Sequence, residues 1–90
     1  MAAGRRICFS AECDEAAKRL GGYQAIDPSL EAFWEGLLRN PYGFPKFESD
    51  WISFRYVITK PIPGVPSLIW TFTITADEIV LQFVEEFSGY

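Results

Sequence analysis

The chain contains no histidine, only two cysteines and a single methionine. Without an imidazole it lacks the side chain most used for proton transfer near neutral pH and the commonest nitrogen ligand for metals. Cys8 and Cys13 alone cannot complete a zinc site, which takes about four ligands. They do not read as a disulfide framework either, and both are expected as reduced thiols, with Cys8 buried in a strand. No metal and no cofactor is expected. Basic residues are also few: eight Lys and Arg stand against twelve Asp and Glu, a formal charge of −4. Neutralising a phosphate backbone takes clustered Lys and Arg, so nucleic acid is not the default partner. Ordinary solubility accounts for the acidity. No apolar run is long enough to span a bilayer, and Arg5-Arg6 is followed by no signal-peptide core. A soluble, cytoplasmic protein is expected.

Apolar and aromatic residues are plentiful, at 49% and 17% of 90 residues. That suffices for one core, and residues 1–90 read as a single domain. The strongest pattern is Leu68–Phe87, where Leu68, Trp70, Phe72 and Ile74 alternate with Ile69, Thr71, Thr73 and Thr75. After Ala76-Asp77-Glu78 the alternation resumes with Ile79, Leu81 and Phe83 against Val80, Gln82 and Val84. Period-two patterning broken by a short polar turn predicts a β-hairpin. Pairing Ile74 with Ile79 sets Phe72 opposite Leu81 and Trp70 opposite Phe83, so one face is wholly apolar and needs a cover.

The segments before the hairpin supply that cover. Arg6–Phe9 is a strand candidate. Ser10 can cap a helix over about Ala11–Leu20, with Glu12, Asp14 and Glu15 in its first turn and Gly21-Gly22 stopping it. Asp27-Pro28 predicts a second helix start. Leu30, Phe33, Trp34, Leu37 and Leu38 then form one apolar face, up to Asn40-Pro41. Asn40–Asp50 reads as loop. Trp51–Thr59 reads as a strand with Ile52, Phe54, Tyr56 and Ile58 toward the core, and Lys60–Ser67 as a proline-rich surface connection. The order predicts an α+β fold: a short N-terminal strand, two helices and a three-stranded antiparallel meander. The open sheet face would carry Ser53, Arg55, Val57, Thr71, Thr73, Val80, Gln82 and Val84.

Phe9-Ser10 before the first helix, Asn40-Pro41-Tyr42 ending the second, and Phe72-x-Ile74 leading through Asp77-Glu78 to Ile79-Val80-Leu81 resemble the RelE/ParE-like toxin superfamily. The echoes span Ile7 to Phe87. The resemblance implies a RelE-like fold and a toxin-like component of a bacterial toxin–antitoxin system. It also implies an antitoxin or a target protein as partner. Several such toxins cleave ribosome-bound messenger RNA and use basic residues to meet the charge that develops at phosphorus. Here Ile69 and Trp70 stand where an arginine usually precedes the aromatic of the third strand, and the last strand ends Val84-Glu85-Glu86-Phe87. Weak or absent ribonuclease activity is therefore expected, with RNA or the ribosome disfavoured by the acidic charge. The alternative is a non-enzymatic protein-interaction or inhibitor/immunity module on the same scaffold.

The catalytic candidates are few: Arg55 and Lys46 as cations, Tyr56 and Tyr90 as acid/base hydroxyls. A strand arginine covering apolar surface with its stem, and solvated loop lysines, are the plainer readings of the cations. Adjacent Glu85 and Glu86 point to opposite faces of a strand and cannot clasp one substrate atom. The binding surface expected for a protein partner is Arg55, Val57, Thr71, Thr73, Gln82 and Val84, an apolar and hydrogen-bonding mixture. Tyr42, Phe44 and Phe47 could form a recognition surface or cap the end of the core.

Overall fold

The computed structural model describes residues 5–47 and 54–88. Within them the chain forms β1 (Arg6–Phe9), α1 (Ala11–Arg19), α2 (Tyr23–Arg39), a 3-10 turn (Pro41–Gly43), β2 (Arg55–Ile58), β3 (Leu68–Ile74) and β4 (Glu78–Glu86). The expected Trp51-Ile52-Ser53 start of the second strand lies outside the described residues. The strands make one sheet in the order β1-β4-β3-β2. The three later strands run antiparallel, and β1 joins parallel to β4. The result is α+β with a four-stranded mixed sheet, where a separate strand and a three-stranded meander were expected. A free edge of β4 would leave backbone N–H and C=O groups unpaired, and β1 satisfies them from far away in the chain.

Local chemistry sets the helix ends. The Ser10 hydroxyl accepts from the Cys13 backbone N–H at 3.0 Å, capping α1. At its other end the Gly22 N–H donates to Ala17 and the Gly21 N–H to Lys18, while Gly21 takes φ 101°. Both bonds together are a Schellman stop, which needs the glycine conformation. The expected start of α2 at Asp27-Pro28 is corrected: the helix begins at Tyr23, and Pro28 lies inside it. Pro28 leaves the Gln24 carbonyl without its helical donor. Tertiary anchors hold the extra turn instead, since Ile26 is buried and the Tyr23 hydroxyl donates to Asp14 at 2.6 Å.

Both helices lie on one side of the sheet. Cys13, Ala16 and Ala17 of α1 and Ile26, Leu30, Phe33 and Leu37 of α2 share a core with Leu68, Trp70, Phe72, Ile79, Leu81 and Val84. Phe72 and Trp70 are fully buried, and Phe33 packs against Trp70 with ring centroids 5.8 Å apart. Trp34 was expected between helix and sheet but is only partly buried, on the flank of that core. Phe44 closes one end, edge-on to both Phe33 and Phe72.

The hairpin pairs Ile74 with Ile79 and Phe72 with Leu81, as the alternation predicts. The register then shifts between Thr71 and Phe72, so Thr71 faces Phe83 and Trp70 faces Val84. A bulge of one residue reverses every later side chain. Val84 therefore turns into the core at 1% exposure, and Phe83 is only half-buried, paired with Thr71. The faces of β2 are likewise the reverse of those expected. Arg55 opposes buried Phe72 and Val57 opposes buried Trp70, so both lie on the helix side of the sheet. Tyr56 and Ile58, opposite Thr71 and Ile69, lie on the open side.

A buried polar chain ties the layers together. The Trp70 indole N–H donates to the Ser29 hydroxyl at 3.0 Å, and Ser29 donates to the Thr59 hydroxyl at 2.8 Å. Phe72→Ala should cost about 3–5 kcal/mol through lost burial and a residual cavity. Ser29→Ala should cost about 1–3 kcal/mol by orphaning the indole N–H. Urea unfolding of both variants checks these values; a Ser29→Ala midpoint equal to the parent's would show that the chain of hydroxyls contributes nothing.

Candidate functional site

The side of the sheet away from the helices carries a continuous, mixed apolar and polar face. Tyr56 and Ile58 of β2, Ile69, Thr71 and Thr73 of β3, and Val80 and Gln82 of β4 are all half-buried there. Antiparallel pairing puts opposed residues on the same face, which is why these side chains converge. The Gln82 amide donates to the Thr73 hydroxyl at 3.0 Å, fixing two of the polar groups. The Phe47 ring lies 4.6 Å from that of Tyr56 and extends the face past β2. Its far border is a charged group on β1 and β4: Arg6 pairs with Glu78 at 2.9 Å, and the Cys8 thiol is 3.5 Å from the same carboxylate.

Of the six residues expected to bind, Thr71, Thr73 and Gln82 meet on this face. Arg55, Val57 and Val84 do not, because the bulge and the reversed β2 turn them to the helix side. Among the catalytic candidates, Tyr56 is on the open face beneath Phe47, and Tyr90 lies outside the described residues. Lys46 belongs to a short segment on the outer edge of β2. There the Phe47 N–H donates to Phe54 and the Tyr56 N–H to Pro45, with Lys46 bridged to Arg55. That edge is partly occupied, which limits strand addition there.

A second cluster forms at the end of α2. The Arg55 guanidinium donates to the carbonyls of Phe44 at 2.7 Å and Tyr42 at 3.2 Å, and sits 5.2 Å from the centre of the Tyr42 ring. Arg5, whose Nε donates to Thr75 at 2.8 Å, approaches the same ring at 5.3 Å. Cation–π attraction explains why an exposed tyrosine gathers two guanidiniums. Neither arginine has a carboxylate partner among the described residues. Tyr42 was expected only within an aromatic loop that either recognises a partner or caps the core, and Arg5 had no place in the sequence-derived site. They are 37 positions apart and carry no local signal, so only the fold brings them together. The aromatic loop divides its duties: Phe44 caps the core, while Tyr42 and Phe47 face outward.

Electrostatics point to inert rather than activated groups. Partial burial, then the hydrogen bond and charge of Glu78, push the Cys8 thiol up, with Arg6 opposing weakly. Burial pushes up Cys13 as well. Burial and the hydrogen bond to Asp14 push the Tyr23 phenol well above its usual range. The neutral phenol is thus the folded form, and its contribution is complete below about pH 10 and lost at higher pH. None of these is a nucleophile poised for attack. Among the described residues no group of three or more Cys, Asp or Glu could hold a metal, and no helix is long and apolar enough to cross a membrane.

These shifts predict that Cys8 reacts slowly with a disulfide reagent at pH 7.5 and faster in Glu78→Gln, where the carboxylate no longer opposes the thiolate. An unchanged labelling rate in Glu78→Gln would show that Glu78 does not govern this thiol. Compared with known proteins, the chain matches no protein-family model and no curated sequence.

Proposed function

We propose that this chain is a protein-binding domain that offers the open face of its sheet to a partner and performs no chemistry itself. The observation that carries the reading is the uncovered strip of Ile58, Ile69 and Val80 interleaved with Thr71, Thr73 and Gln82. Among the described residues both helices pack on the other side, so this strip stays partly open to water. Apolar groups set among hydrogen-bonding ones suit a moderate, reversible interface. Burial, together with the carboxylate hydrogen bonds of Tyr23 and Cys8, holds the phenol and thiols in their protonated forms, which favours binding over catalysis.

A second reading has a specific observation in its favour. The element order β-α-α-β-β-β and the Arg5–Tyr42–Arg55 cluster fit a RelE/ParE-like toxin component, whose partner would be an antitoxin. Fold likeness alone does not carry function. Expression of the chain alone, with growth and translation followed, discriminates the two: arrest relieved by a neighbouring small gene favours the toxin reading.

The binding reading makes two measurable claims. A partner captured from the native host should bind the purified chain, and the Thr71→Arg, Thr73→Arg double variant should lose about tenfold or more in affinity with an unchanged melting temperature. Purified chain should leave ribosome-bound messenger RNA intact. Equal binding by the double variant refutes the sheet face, and cleavage that disappears in Arg55→Ala refutes the absence of chemistry.

A further inference from the structure

The outer flank of α2 carries a surface the core does not use. Asp27, Leu30, Glu31, Trp34 and Glu35 recur at spacings of three and four, and with Phe9 from the end of β1 they line a hollow of about 600 Å³. Its floor is apolar and aromatic: Phe9, Leu30 and Trp34. Its rim is a row of carboxylates, Asp27, Glu31 and Glu35, each four residues after the last. Leu38, 44% exposed, continues the apolar stripe by one more turn.

This row costs the helix something. Like charges at i and i+4 destabilise a helix, and here two such pairs follow in succession. Asp27 and Glu31 have no ion pair or side-chain hydrogen bond among the described residues. Glu35 meets Arg39 at 3.0 Å, but both side chains are largely exposed, so that pair exchanges readily with solvent or a partner. An apolar, aromatic trough beside a row of carboxylates, two of them with no ion pair among the described residues, is complementary to a segment that is itself half apolar and half basic.

We propose that this groove binds a basic amphipathic helix of another protein. The lysines or arginines of that helix would lie over Asp27, Glu31 and Glu35, and one large apolar side chain would enter between Phe9 and Trp34. The spacing selects a helix. Carboxylates one helical turn apart repeat at about 6 Å along the axis, the same repeat as cations at i, i+4 and i+8 of a parallel partner. A cation stem can also cover the Trp34 ring while its charge meets the rim. The groove is on the helix layer, so this inference stands apart from the sheet-face reading, and the two surfaces could be occupied together.

The test uses two synthetic Ala-rich peptides, one with lysines every fourth residue beside a leucine stripe, the other with each lysine replaced by glutamate. Backbone amide shifts of the whole chain locate the site, and titrations give affinities. The expected result is saturable binding of the lysine peptide with shifts centred on residues 27–38. The affinity should fall about tenfold or more in Glu31→Lys and in Trp34→Ala, and should weaken with added salt. The glutamate peptide should not bind. Absence of binding, equal binding of both peptides, indifference to Glu31→Lys, or shifts centred on Ile69, Thr71 and Val80 would each overturn the proposal. The last outcome would leave the sheet-face reading standing, and a null titration would leave it untouched.

Discussion

Trp70 occupies the centre of the molecule, and its one polar atom constrains everything around it. A fully buried indole N–H with no acceptor would cost more than most single contacts return. Ser29 on α2 accepts that proton, Thr59 beyond β2 accepts from Ser29, and Thr59 in turn contacts both the N–H and the carbonyl of Leu68. The helix can therefore neither slide along the sheet nor rotate on its axis without breaking a buried bond. No buried side-chain nitrogen or oxygen among the described residues is left without a partner.

The same residue explains the bulge. Trp70 must point to the helices to reach Ser29, as must Phe72 to meet Phe44. The strand across from them must then place Leu81 and Val84 inward, although they are three residues apart and a regular strand alternates by two. One inserted residue resolves the conflict. Packing around a large ring thus decides which of two similar residues, Phe83 or Val84, enters the core. Beside α2 on the same side of the sheet, α1 adapts by being small: Cys13, Ala16 and Ala17 let its backbone come close to β4, where bulkier side chains would hold the layers apart.

Charge is separated across the surface. Carboxylates line the outer flank of α2, while the guanidiniums of Arg5 and Arg55, which have no carboxylate partner among the described residues, gather at Tyr42, past that helix's C-terminal end. The strip of Ile58, Ile69, Thr71, Thr73, Val80 and Gln82 on the open sheet face carries no charged side chain. Three chemically distinct surfaces on so small a domain suit meeting other macromolecules better than enclosing a small substrate, and the hollow beside α2 is open to solvent rather than enclosed.

By itself the sequence determined whatever depends on neighbours in the chain: the caps at Ser10 and Gly21-Gly22, the apolar stripe of α2, the alternation of the hairpin and its turn at Asp77. It also determined the absence of histidine and the excess of acidic over basic residues, since composition needs no fold. The tertiary structure alone decided the parallel pairing of β1, the helical state of Tyr23–Ile26 ahead of Pro28, the bulge, and with it the faces of Arg55, Val57 and Val84. Each of these balances a weak local preference against burial or hydrogen bonding with residues tens of positions away. Alternation shows that a strand has two faces, but only the shape of what packs against it selects which one is inside.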